Sequence, residues 1–315
     1  MNFFSSNAFL ESLALTRFAG KPWSIDDYTV QGQRFRLLTV EDKPITWWPF
    51  LDFLEPRLGL QEREPNPPPK ILDYLPYAVI GYLPADGEKP AAITPGTQAS
   101  PLIDWSLLKT PELLEAHIKA RRSGLLADSA KRERKLAAAL GPVTYAYDDA
   151  AEDVFRLGAE WKSSQFMVTG GADWFFRENL PLFAELKRRR VLVMASLRAG
   201  GRLVSTIWSG FEDGRLYYWV ATYDPSLSAF SPGRLLLEKL MRDSQARGHR
   251  ELDFLIGDEA YKWHYATHTR VIGHVGTVPL HLRWTKEART RIKVALGRFP
   301  RLLDAAQSLR KRLRL

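Results

Sequence analysis

The sequence predicts a mixed β-sheet flanked by helices, in the α/β (α+β) class, on three observations. Residues 191–224 hold three apolar runs separated by Gly200-Gly201 and Asp213-Gly214, dipeptides that close tight hairpins. A helix follows whose ends are written in the sequence, Ser231-Pro232 at its start and Arg247-Gly248 at its stop. It leads into a short apolar run, "ELDFLIG". An antiparallel meander and a helical crossover into another strand require a mixed sheet with helices on its faces.

The elements can be taken in order. From Pro44 to Pro101 proline and aromatic residues are dense, and Pro67-Pro68-Pro69 should be extended and exposed. "ILDYLPYAVIGYL" reads as a buried strand or a short helix, which periodicity does not separate. Thr110 caps a helix over 111–122 with Pro111 at its first position. A second helix over 128–140 stops at Gly141-Pro142, which we read as a domain boundary. "PVTYAYDD" alternates as a strand. A helix over 150–163 carries Val154, Leu157, Gly158 and Trp161 as its stripe, and one over 172–189 carries Phe175, Leu182, Phe183 and Leu186. After the meander and the capped helix come the short strand, a short helix around "DEAYKWHYA" and a strand over 271–284. The C-terminal half thus reads β-α-α-β-β-β-α-β-α-β.

Composition excludes several chemistries. The 315 residues contain no cysteine, which removes disulfides, thiolate metal sites and a cysteine nucleophile and suits a reducing cytoplasm. No stretch reaches the roughly 18–20 apolar residues of a membrane span, and Glu11 inside the first apolar segment argues for mature protein over a signal peptide. The net charge is +9, and residues 283–315, with 11 Lys+Arg against 2 Asp+Glu, account for all of it. A positive field over the whole body, and with it a specific nucleic-acid partner, is therefore not expected. Within 285–315, Leu302, Leu303, Leu309 and Leu313 share a helical face beside Arg310, Lys311, Arg312 and Arg314. Such a basic amphipathic helix suits the inner-membrane surface or a partner protein; a helix docked on the body reads the same way.

"AFSPGRLLLEKL" is the best single feature. A helix N-terminus offers unpaired amides and the positive dipole end to a phosphate. Ser231 stands at the N-cap, Gly233 removes a Cβ from the approach, and Arg234 adds a forked cation. An ordinary capped helix with a solvated arginine fits the same residues.

In context this segment, with "DFLIGDEAYK" beyond it, resembles the CelD/BcsL family of GNAT-like acyltransferases, relatives of the FemAB transferases. "RKLAAALGPVTYAY", "EWKSSQF" and "FFSSNAFLESLA" sit where that family has similar stretches. The resemblance implies a GNAT-like domain over 142–284, a second, degenerate GNAT-like lobe over 1–141, and the basic tail over 285–315. It implies an acyl-CoA donor, acetyl-CoA above all, with the pantetheine arm pairing along Tyr218, Val220 and Thr222. It also implies an amino-sugar or lipid-linked saccharide acceptor in exopolysaccharide or cellulose production. Of the general GNAT phosphate-loop pattern only the central Gly233 survives, so an aminoacyl-tRNA donor, as in FemAB relatives, or a non-catalytic accessory role stays open.

The resemblance places the ionisable cluster Asp253, Asp258, Glu259, Tyr261 and Lys262 at the site. N-acyl transfer needs a base for the attacking ammonium and donors for the oxyanion; Asp253 or Glu259 suits the first role, Tyr261 or Lys262 the second. An Asp258–Lys262 pair at i, i+4 is the structural alternative. Lys162, at a helix end, is a solvated cap or, in the family arrangement, faces the acceptor. His264 and His268 have a spacing that binds metal when both stand on one helix; with no cysteine and no acid partner at metal spacing, no metal is expected.

Overall fold

A computed structural model describes residues 2–48, 52–56, 68–93, 96–169, 173–257 and 259–279. Met1–Val275 form one compact unit and Gly276–Leu315 a second, of which residues 276–279 are described. The basic tail therefore lies outside the described residues, as do Pro67 and Asp258.

The strands are β1 (Trp23–Val30), β2 (Gln33–Val40), β3 (Lys43–Pro44), β4 (Lys70–Ile71), β5 (Tyr74–Pro84), β6 (Gln98–Asp104), β7 (Val143–Ala146), β8 (Leu192–Ala199), β9 (Arg202–Glu212), β10 (Arg215–Tyr223), β11 (Glu251–Asp253) and β12 (His268–Gly276). The helices are α1 (Asn7–Arg17), α2 (Pro111–Arg121), α3 (Leu125–Leu140), α4 (Glu152–Thr169), α5 (Asp173–Arg188), α6 (Pro232–Ala246) and α7 (Ala260–Trp263). The mixed α/β architecture and the order expected for the C-terminal half are the ones found. "YLPYAVIGYLP" is a strand, which settles what periodicity left open.

Eight strands form the main sheet in the order β5-β12-β6-β11-β10-β9-β8-β7, and β3-β2-β1-β4 form a smaller one. β10 and β11 run parallel, as the α6 crossover between them requires, while β11–β6, β6–β12, β10–β9, β9–β8 and β8–β7 are antiparallel. Alternation along the strands divides the core. Tyr217 and Met194 join a cluster with Phe3, Phe4, Phe9, Phe183 and Trp208, whereas Leu216, Tyr218 and Leu197 join Leu235, Leu236 and Leu240 of α6.

Helix α4 lies close against β9 because Gly158 has no side chain. A Cβ there would stand 2.8 Å from both Thr206 Cγ2 and Trp208 Cζ2, below van der Waals contact. Phe155 on the same helix stacks on Trp208 with ring centroids 4.8 Å apart. Lys162 and Gln165 follow Gly158 at i+4 and i+7, so its close approach brings both toward the sheet. Gly158→Val should overpack this contact and lower stability by about 1–3 kcal/mol, read as a lower urea midpoint with an unchanged slope.

Candidate active site

The site begins where two neighbouring strands part. β11 pairs with β10 at Arg215, Leu216 and Tyr217 only, while β10 continues along β9 to Tyr223. One edge of β10 is therefore open beyond Tyr217. The β9 register shifts between Tyr218 and Val220, which leaves Trp219 as the extra residue of a bulge. The Asp224 amide donates to Val204 O, so alternation turns the main-chain groups of Thr222 and Val220 to β9 and those of Ala221 and Tyr223 to the open edge. Lys162 Nζ, 3.2 Å from Ala221 O, shows that edge in use.

The bulge is held from behind by the N-terminal segment. Phe4 and Phe183 pack on Trp219 with ring centroids 5.6 and 4.9 Å away, and the Phe3 amide donates to the Tyr217 hydroxyl at 3.4 Å. Nothing in the spacing of "NFFSSNAF" announces this role.

In front of the open edge is a cavity of 480 Å³. Lys162, Tyr218, Thr222, Gly233, Arg234, Glu259, Tyr261 and Lys262 all line it. A Cβ on Gly233 would meet only the Tyr223 ring, at 3.3 Å, so the glycine leaves the first turn of α6 open to the cavity. Arg234 is already engaged, with Nη2 2.5 Å from Asp128 Oδ2. Hydrogen bonds from Arg132 and Arg234 hold the Asp128 carboxyl down at about 2.

The far wall is carried by the turn after β11 and by α7. Lys262 is buried, and its Nζ lies 2.9 Å from Glu259 Oε2; the pair expected with Asp258 lies outside the described residues. It sits against Gly257, where a Cβ would fall 2.2 Å from the Glu259 carboxylate and 2.5 Å from Lys262 Nζ, so a side chain there would have to displace the pair. Burial pushes the Tyr261 phenol up to about 12 and Tyr218, beside it, well above its usual range. Burial pulls the Lys162 ammonium below the ordinary lysine range, Glu259 opposing and Lys262 assisting.

Three expectations are corrected. Asp253 does not reach the cavity. It is fully buried, accepting from Ser100 Oγ at 2.8 Å, the Leu255 amide at 2.7 Å and Arg270 Nη1 at 2.5 Å; a carboxylate so engaged cannot serve as a base. Val220 and Thr222 both turn their main chains to β9, and Val220 is buried in the core, so the pairing expected along these residues falls to Ala221 and Tyr223. Ser231 occupies the N-cap position but with left-handed φ 51° and ψ 51°, and its side chain makes no capping bond, because capping geometry needs an extended backbone there. His264 and His268 lie on different elements, after α7 and in β12, so their spacing confers no shared helix face. Among the described residues no group of acids and histidines is arranged to hold a metal.

Beside Glu259, a second carboxylate reaches the cavity, that of Asp52, which sequence reasoning passed over. Its Oδ2 accepts the Ile256 amide at 2.8 Å, and burial, with Asp253 and Glu259 nearby, raises it to about 7 against the pull of that amide and Lys262. Its neighbours fix it there. Leu54 bridges to Ala78 of β5, and Glu55 binds Arg215 and Arg270. The only signal in the sequence was an acid inside "WWPFLDFLEP".

Residues 126–263 match the family model described as an acetyltransferase (GNAT) domain. Over those residues the chain is similar to acetyltransferase (GNAT) domains. Across the whole length the fold resembles that of FemX, with TM-score 0.54 and 9% identity over 90% of this chain and 94% of that one. Weaker likenesses are to L-PGS from Bacillus licheniformis, at TM-score 0.47 and 11% identity over 90% and 94% of the two chains, and to a tandem GNAT protein from the clavulanic acid biosynthesis pathway, at 0.33 and 11% over 86% and 94%. No curated protein matches the sequence. Within the matched segment lie the open edge of β10, the start of α6 and the whole of α7; Asp52 comes from outside it.

Asp253→Asn should act on stability. Loss of a charge-assisted bond in the interior lowers stability by about 1.5–3 kcal/mol, so the urea midpoint should fall while the folded fraction keeps its affinity for whatever the cavity binds.

Proposed function

We propose that the protein is an acyl-CoA-dependent N-acyltransferase. The observation that carries this reading is the single cavity onto which the open edge of β10, the glycine-marked start of α6 and a wall of ionisable side chains converge. An extended amide-bearing arm can pair with the outward main-chain groups of Ala221 and Tyr223. A pyrophosphate suits the first turn of α6 where Gly233 leaves the backbone uncovered. Bound acyl-CoA supplies an activated thioester.

The chain's own residues then manage the proton and the charge. Asp52, raised to about 7, takes a proton from the attacking ammonium; a carboxyl in its usual range is too weak a base for this near neutral pH. The Tyr261 phenol, held protonated by burial, and an amide at the β10 bulge offer donors to the oxyanion. The acceptor follows from the family resemblance: an amine on a sugar or lipid-linked saccharide, in exopolysaccharide or cellulose production. No helix among the described residues is long and apolar enough to cross a membrane; the cationic tail supports a cytoplasmic protein that reaches the inner-membrane surface.

One observation favours an aminoacyl-tRNA donor instead. The cation at the α6 start is committed to Asp128, which leaves the helix dipole and amides to hold a pyrophosphate.

Two experiments test the reading. Gly233→Val places a branched side chain against Tyr223 without loss of helix propensity, valine being a few tenths of a kcal/mol better than glycine. Calorimetry should show CoA affinity falling about tenfold or more, some 1.4 kcal/mol, with an unchanged melting temperature. Equal affinity in both proteins removes CoA from this site, and no affinity in either favours the tRNA donor.

Asp52→Asn should lower turnover by about 10²–10⁴-fold. The base must be unprotonated to act, so wild-type kcat/KM should climb as pH rises through about 7 and level off above. The variant should lose that rising limb; a variant that keeps it shows that the proton goes elsewhere.

A further inference from the structure

The amine of Lys162 occupies the place the donor must pass. Helix α4 is drawn in by Gly158, and Lys162 one turn later extends to the open edge of β10, where its Nζ donates to Ala221 O at 3.2 Å and to Gln165 Oε1 at 3.2 Å. Both acceptors are neutral, and no carboxylate among the described residues lies within ion-pair distance of Lys162. Lys262, also on the cavity, is by contrast paired with Glu259 and surrounded by the Leu255 and Ile256 carbonyls at 3.4 and 3.5 Å. Of the two lysines on this cavity, Lys162 is the one whose nitrogen lies on the strand edge itself.

We propose that Lys162 is itself an acyl acceptor, so that the protein acylates its own cavity in the presence of acyl-CoA. The inference rests on the acyl-CoA reading above. In the step, the Lys162 ammonium first gives a proton to the Glu259 carboxylate, whose charge acts on it and whose half-exposed side chain passes the proton on to water. The free amine attacks the thioester carbonyl carbon. The N–C bond forms, the C–S bond breaks, and CoA leaves as a thiolate that takes up the amine's second proton. The product is an Nε-acyl-lysine and free CoA, with no oxidant or further reactant.

Two features favour this nitrogen over a surface lysine. Burial lowers its pKa, which raises the fraction of free amine at neutral pH. Its place on Ala221 O also keeps it beside any arm paired along that strand, and holding reactants together is worth orders of magnitude in rate. The amide product carries no charge, so acylation removes a cation from the cavity and leaves Glu259 with Lys262 as its partner.

The test uses the full-length protein and acetyl-CoA, read by intact mass and by peptide mapping, with CoA binding measured in parallel by calorimetry. The expected result is one acetyl group at Lys162, added roughly tenfold or more faster than at any other lysine and saturating with acetyl-CoA. Lys162→Arg should remove that mark, and the urea-unfolded chain should show no preference for the position. A protein that binds CoA but stays unmodified at Lys162, or is modified evenly over its lysines, overturns this inference and leaves the donor reading standing. A protein that binds no CoA overturns both.

Discussion

The interior of the main sheet is organised around a buried group of five charges. Arg270 on β12 meets Asp253 and Glu251 on β11 and Glu55 from the N-terminal half, and Arg215 on β10 meets Glu55 and lies 3.2 Å from Glu251. Two guanidiniums thus hold three carboxylates. Removing one partner from such a group strands the others in low dielectric, at about 3–5 kcal/mol, whereas the intact group adds little net stability. Its effect is one of placement. It fixes β10, β11, β12 and the 52–56 segment against one another at the level where β10 and β11 begin to part.

The site inherits its geometry from that arrangement. Asp253 accepts the Leu255 amide, which supports a left-handed φ of 59° at Leu255, a backbone that a leucine adopts only where its surroundings enforce it. The next amide, that of Ile256, faces Asp52, and the next residue is the glycine beneath the Glu259–Lys262 pair. Asp253 is thus two hydrogen bonds away from the carboxyl assigned as the base. A residue that looks catalytic in sequence is positioned to shape the turn that the proposed base rests on. Its burial and its partners separate the two roles.

Much of the site was legible because its pieces lie in continuous segments with local signatures. Gly233 follows a proline at a helix start, and Glu259, Tyr261 and Lys262 follow a glycine turn; local patterns of this kind survive folding unchanged. Arg234 was read as a free cation because its partner, Asp128, is far away in the chain. Asp52 was missed for the same reason. Its approach to the cavity depends on the Leu54–Ala78 bridge and on Glu55 reaching two arginines, and none of these has a local pattern.

By itself the sequence determined the secondary structure of the C-terminal half: the hairpin turns, the ends of α6 and the periodicities are set by backbone chemistry within a few residues. It also determined that the charge excess belongs to the last segment and that thiol chemistry is absent. Tertiary structure decided which face each residue serves. Whether Val220 meets solvent or core depends on a bulge at Trp219, and that bulge is packed by Phe4, from the other end of the chain. Whether an aspartate is a base or a strut depends on what surrounds it: Asp253 is surrounded by donors, while Asp52 has one amide and a cavity. Those surroundings include residues 153 and 204 positions away, Ser100 for Asp253 and Ile256 for Asp52, and desolvation and charge pairing act only once folding has brought them together.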